Sequence, residues 1–188
     1  MRLFIALPLT QPVKERLGQL ILLLSEKGGS VKWVAPENIH LTVRFLGDTD
    51  DRLVPVISEN IDAVASQFQT FETMIDRLGG FPSVGRPRVI WAGIENPPEK
   101  LSQLAIQMEH RVRKLRFEPE KKTFRSHLTL GRVRRPEGLD QLVGYLSDHR
   151  LEPIPILLDR LCLFKSTLTP SGPIYERLHE ARLDKPSA

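Results

Sequence analysis

His40-Leu41-Thr42-Val43 and, 87 residues later, His127-Leu128-Thr129-Leu130 are two copies of one short pattern. In an extended strand successive side chains point to opposite faces. His40 and Thr42 then share one face, while Leu41 and Val43 enter a core beneath them. The second copy divides in the same way, with His127 and Thr129 outward and Leu128 and Leu130 inward. The chain has five histidines, and chance places Thr two residues after two of five only about 2% of the time. The shared Leu between them makes chance weaker still. An imidazole with a hydroxyl beside it, supplied twice, suits acid–base chemistry on a phosphate ester.

Both copies follow a loop that contains proline. Ala35-Pro36-Glu37-Asn38 precedes a strand expected over 39–46, closed by Gly47-Asp48. Glu118-Pro119-Glu120-Lys121-Lys122 precedes a second strand expected over 124–133. The spacing of just under half the chain predicts two similar lobes, each supplying one catalytic half. Outward from these strands, periodicity predicts an α+β chain. Strands are expected over 2–7, 71–78, 89–94, 154–166 and 173–183. A helix capped by Thr10 carries Val13, Leu17, Leu20 and Leu24 inward and stops at Gly28-Gly29. Further helices are expected over 51–68, from Pro97-Pro98-Glu99 through Leu115, and over 139–146.

These residues carry a resemblance. The run from Trp33 to Gly47, Gly80-Phe81-Pro82, Arg86 to Trp91 and Phe124 to Val133 make the chain similar to the 2H phosphoesterase superfamily. Within it, the chain looks like the RNA 2′,3′-cyclic phosphodiesterase (2′-5′ RNA ligase-like) branch. Ser126 departs from many relatives, which have Pro there. The resemblance implies that residues 1–188 form a single bilobal domain of two pseudo-symmetric lobes. Each lobe would be an antiparallel sheet backed by helices, with the active site in the cleft between. It also implies a metal-independent hydrolysis that opens 2′,3′-cyclic phosphate ends of RNA to 2′-phosphomonoesters, with 2′-5′ ligation as the reverse reaction. His127 would accept a proton from water, and His40 would donate one to the departing 3′ oxygen. The hydroxyls of Thr42 and Thr129 would hold the non-bridging oxygens.

Arg125 lies two residues before His127 and shares its face, so it is a candidate phosphate ligand. Arg44 bears the same relation to Thr42. Arg132 matches an arginine common in relatives, although a regular strand would turn it to the opposite face. Phe45 and Trp91, with Trp33 and Phe81, are candidates either to stack a base or to fill the core. No cofactor is expected, nor any metal, because no His/Asp/Glu group has ligand spacing. His110, His149 and His179 repeat no context and are read as surface residues.

Lys plus Arg exceed Asp plus Glu by 27 to 23, a small excess that favours polyanionic partners without naming one. Arginines 111, 113, 116, 125, 132, 134 and 135 crowd near the second motif and suggest a path for an RNA backbone. Cys162 is the one cysteine, in an apolar run, which excludes an intramolecular disulfide. No signal peptide or membrane span is legible. The expectation is therefore a cytoplasmic monomer acting on RNA with 2′,3′-cyclic phosphate ends or on cyclic nucleotides. The alternatives are a 2H phosphoesterase acting on a small cyclic nucleotide, and an RNA-binding module without catalysis.

Overall fold

The computed structural model describes residues 1–94 and 97–184. The remaining positions of the expected 1–188 domain lie outside the described residues. In chain order the elements are β1 (Arg2–Pro8), α1 (Gln11–Ser25), β2 (Ser30–Trp33), β3 (His40–Asp48), α2 (Val54–Ala65), β4 (Phe71–Ile75) and β5 (Arg77–Phe81). Then come β6 (Val89–Gly93), α3 (Glu99–Lys114), β7 (His127–Arg135), α4 (Asp140–Asp148), β8 (Ile154–Leu158), β9 (Arg160–Thr169) and β10 (Gly172–Arg182). Two four-stranded antiparallel sheets result, ordered β10-β9-β1-β3 and β2-β7-β6-β5, with β4 and β8 paired apart from them.

The order β1-α1-β3-α2-β4-β5 recurs as β6-α3-β7-α4-β8-β9. Within the sheets, β9-β1-β3 corresponds to β5-β6-β7. The last strand of each repeat has therefore crossed to the other repeat's sheet, which ties the two halves together through backbone hydrogen bonds. Helices α2 and α3 pack on each other and against the first sheet, while α1 and α4 lie against β2 and β5 of the second. One contiguous apolar core joins both sides, including Leu41, Leu128 and Leu130, all buried as the motif alternation requires.

The structure revises several boundaries. The strands expected over 71–78 and 154–166 each break in two, at Asp76 and Asp159. In both repeats the first piece leaves for the β4–β8 pair and the second joins a sheet. Hydrophobic patterning does not register such a break, because both pieces are apolar on one face. The helix expected over 51–68 opens as a 3₁₀ turn, Asp51–Leu53, on which the Asp50 carboxylate accepts from the Arg52 N–H. Thr10 occupies the N-cap position of α1, but its side chain makes no capping hydrogen bond. Strand β2 was not expected. It is four residues long, and its partners come from β7, a hundred positions away in sequence.

Candidate active site

His40 opens β3 and His127 opens β7. The two strands run close to one another, and the Val34 N–H, on the approach to β3, donates to the Leu130 carbonyl at 2.8 Å. Each imidazole is fixed in the same way. Nδ1 of His40 lies 2.7 Å from the Asn38 carbonyl, and Nδ1 of His127 lies 2.8 Å from the Arg125 carbonyl. A carbonyl oxygen can only accept, so each Nδ1 carries hydrogen. The neutral rings therefore present Nε2 as an acceptor. Among the described residues, no protein group is hydrogen-bonded to either Nε2, nor to the half-buried Thr42 and Thr129 hydroxyls.

The two strands also share an irregularity. Opposite β1, Ala6 pairs with Thr42 and Ile5 with Arg44, which leaves Val43 as an extra residue. Opposite β6, Trp91 pairs with Thr129 and Ile90 with Gly131, which leaves Leu130 extra. A bulge of this kind shifts the alternation by one. The burial sequences of the first six residues are consequently the same in both strands, with two buried positions in succession at 43–44 and at 130–131.

The bulges decide which side chains reach the site. Arg132 is returned to the His127 face, contrary to the regular-strand expectation, and its charge helps to lower the His127 pKa. Arg44, expected to face the site, is turned away instead. It is 7% exposed and bonds to the Glu109 and Glu120 carboxylates and to the backbone carbonyls of Phe45 and Glu118. Phe45 takes the position equivalent to Arg132 and is 55% exposed, with its ring 6.0 Å from that of Phe4. Arg125 precedes the strand and stays exposed, with its guanidinium 5.5 Å above the Phe81 ring.

Aromatic rings flank both histidines. Phe4 stacks on His40 at 4.7 Å, and Tyr175 meets it edge-on at 5.4 Å. Phe81 meets His127 edge-on at 5.0 Å, and Trp91 lies 6.5 Å from it. The Trp91 indole spreads over Gly79 and Gly93, where any Cβ would overlap it. Trp33 fills the space that a side chain at Gly131 would need, so it is a packing residue rather than a stacking platform.

The two surroundings differ in charge. Burial, followed by the Lys14 ammonium, pushes His40 down to about 4. His127 is also lowered, first by burial and then by the guanidinium groups of Arg125 and Arg132. Both rings are therefore neutral near pH 7 in the free protein. Beside His40 opens a pocket of about 460 Å³, walled by Phe4, Phe164 and the β10 residues Pro173, Ile174 and Tyr175.

A family profile described as LigT-like phosphoesterase matches the chain twice, over residues 7–91 and 93–175, one match per repeat. The chain belongs to the LigT-like phosphoesterase family. Its relatives include proteins named RNA 2′,3′-cyclic phosphodiesterase. That of Thermotoga maritima is 34% identical across 98% of this chain and 96% of its own length. That of Archaeoglobus fulgidus is 37% identical, with 95% and 98% covered. A solved structure from Thermus thermophilus matches with a TM-score of 0.81 at 27% identity over the whole of both chains. Escherichia coli LigT complexed with 3′-AMP has the same fold, with a TM-score of 0.76 at 23% identity over 97% of each chain.

Sequence reasoning missed several neighbours of the motif histidines in this LigT-like phosphoesterase. Phe4, Phe164 and Tyr175 come from strands far from either motif, and their only signal was alternation within apolar runs. The remaining histidines keep to the surface. His179 bonds Asp62 at 2.7 Å, His149 stacks on Tyr145 at 4.3 Å, and His110 is exposed on α3. Of the crowded arginines, Arg111 is occupied with Asn60 of α2. Among the described residues no helix is long and apolar enough to cross a membrane, and no group of three metal-ligating side chains occurs.

Proposed function

We propose that this protein hydrolyses RNA 2′,3′-cyclic phosphate ends to 2′-phosphomonoesters by two-histidine acid–base catalysis, acting as one bilobal unit. The observation that carries this reading is the paired geometry: two imidazoles, each locked by its Nδ1 with a free Nε2, on duplicated strands that approach one another. The names of the relatives supply the substrate class.

The asymmetry between the halves favours one orientation. Guanidinium groups surround His127, so the cyclic phosphate belongs there, with Arg132 and Arg125 opposing its charge and the Thr42 and Thr129 hydroxyls donating to its free oxygens. The aromatic pocket beside His40 suits the ribose and base. The 3′ oxygen then departs on the His40 side, and water attacks from the His127 side. His127 takes the proton from water, and His40 gives one to the 3′ oxygen. The P–O3′ bond breaks and leaves a 2′-phosphate. With a 5′-hydroxyl in place of water, the same forward steps form a 2′-5′ linkage. His127 takes the proton of that hydroxyl, its oxygen bonds to phosphorus, and the P–O3′ bond breaks with His40 protonating the 3′ oxygen. One observation favours the opposite assignment: His40, with the strongly lowered value, is neutral over a wide pH range, as a base should be.

The test is hydrolysis of a short RNA with a 2′,3′-cyclic end in excess EDTA. Activity should persist, with a product that resists enzymes removing only 3′-phosphates. His40→Ala and His127→Ala should each lower the rate by about two to four orders of magnitude. Sulfur in place of the 3′ oxygen gives a leaving group that barely needs a proton, so it should rescue His40→Ala and not His127→Ala. Rescue of the His127 variant would reverse the two roles, and dependence on a divalent ion would overturn the mechanism. Because both imidazoles are lowered, the bell of kcat/KM against pH should lie on the acid side of 6.5.

A further inference from the structure

The pocket beside His40 contains a feature that the chemistry at phosphorus does not use. Lys14, one turn into α1, sends its ammonium to the pocket rim, where Nζ donates to the Glu37 backbone carbonyl at 2.9 Å. Among the described residues no carboxylate lies within ion-pair distance of it. Its charge reaches His40, and burial lowers its own pKa. A half-buried ammonium held only by a neutral carbonyl keeps most of its charge available to an incoming anion. The opposite wall is apolar and aromatic, formed by Phe164, Pro173, Ile174 and Tyr175, with Ile174 60% exposed. Asn38 anchors that wall through Nδ2 to the Pro173 carbonyl at 2.9 Å, so the pocket keeps its shape without a ligand.

We propose that this pocket receives the terminal nucleoside and that Lys14 takes the phosphate on its 5′ oxygen, so that the enzyme favours the end of an RNA chain over a mononucleotide. The inference rests on the orientation argued above, in which the ribose lies on the His40 side. A nucleoside combines the two chemistries the pocket offers, a flat apolar base and an anion displaced from it by the ribose. With the cyclic phosphate held toward His127, the 5′ oxygen is the other point of the ribose that bears a phosphate. Glu37 opposes this with an exposed carboxylate at the same rim, outside ion-pair distance of the Lys14 ammonium but near enough to raise its pKa against the effect of burial.

Three substrates test the proposal: adenosine 2′,3′-cyclic phosphate, the same nucleotide with a 5′-monophosphate, and the dinucleotide ending in a 2′,3′-cyclic phosphate. The unaltered protein should turn over the two 5′-phosphorylated substrates with kcat/KM about tenfold above the first, carried by KM, as expected for one charge-assisted contact. Lys14→Met, which keeps the apolar stem, should bring that ratio toward one. Lys14→Arg should keep it, and Glu37→Gln should raise it. Equal kcat/KM on all three substrates overturns the proposal, as does a Lys14→Met variant that slows all three in proportion. A gain for the 5′-monophosphate alone overturns the preference for an RNA chain. Hydrolysis of all three without a Lys14-dependent ratio leaves the phosphodiesterase reading standing while this inference fails. Hydrolysis of none defeats both.

Discussion

At the scale of the residue, the two motif histidines differ in surroundings while sharing one local geometry. The i−2 carbonyl that fixes each Nδ1 is a consequence of the strand's start, where the chain turns in from the preceding loop. What differs is the field. His40 sits among Phe4, Phe164 and Tyr175, and that burial lowers its pKa from 6.5 to about 4. The folded protein therefore binds this proton more weakly than the unfolded chain does, so acid favours unfolding. The contribution is fully present above pH 6.5 and is lost as pH falls toward 4. Between pH 7.5 and pH 5 it amounts to about 2 kcal/mol. His40→Gln should therefore be less acid-sensitive than the parent, by about that difference in denaturant-unfolding free energy at the two pH values. A variant with undiminished acid sensitivity would remove His40 from the account.

At the scale of the element, the bulges in β3 and β7 convert a simple alternation into a site. Without them Arg132 would point into the core and Arg44 would share the face of His40 and Thr42. With them, Arg44 becomes part of the frame. Its guanidinium joins β3 to Glu109 on α3 and to the 118–120 loop that leads toward β7. Arg44→Ala removes the cation paired with the Glu109 carboxylate, leaving it only the Glu120 N–H, and should cost about 3 kcal/mol of stability. In chemical denaturation that loss should be plain, while the folded fraction keeps its pH–rate profile. Gly79 is the counterpart on β5. A methyl there would lie 2.2 Å from the Trp91 indole, which cannot move without disturbing His127. Gly79→Ala should cost about 1–3 kcal/mol from overpacking and slow hydrolysis as well. Near-normal activity in a stable Gly79→Ala protein would mean that the Trp91 position does not matter to catalysis.

At the scale of the whole molecule, the exchange of β5 and β9 between the repeats makes each half incomplete by itself. Residues 1–84 contain β2 and β5, whose partners β7 and β6 lie in the second half, while β1 needs β9 from that half. Each separate half would leave long sheet edges unpaired and much of the shared core open to water. Fragments cut in the exposed loop between β5 and β6 should each lack a cooperative thermal transition by circular dichroism. Mixed, they should recover both the transition and cyclic phosphate hydrolysis. Cooperative unfolding of either fragment alone would mean that the swapped strands are dispensable. The same exchange also joins the two motif strands into one framework, so the distance between the histidines does not depend on a flexible linker.

The sequence by itself determined the two motif strands, the inward Leu and outward His and Thr, most of the helices and the duplication. These depend on local periodicity, which one stretch of chain carries within itself. The paired histidines and threonines were legible for the same reason. The breaks at Asp76 and Asp159, the short strand β2, the bulges, and so the opposite fates of Arg44 and Arg132 were decided only by the tertiary structure. Each depends on which distant strand supplies the hydrogen bonds, and a strand's side-chain pattern specifies its buried face without naming its partner. Phe4, Phe164 and Tyr175 likewise became neighbours of His40 only when β1, β9 and β10 were laid beside β3, because the field that sets the pKa of an imidazole belongs to everything packed around it.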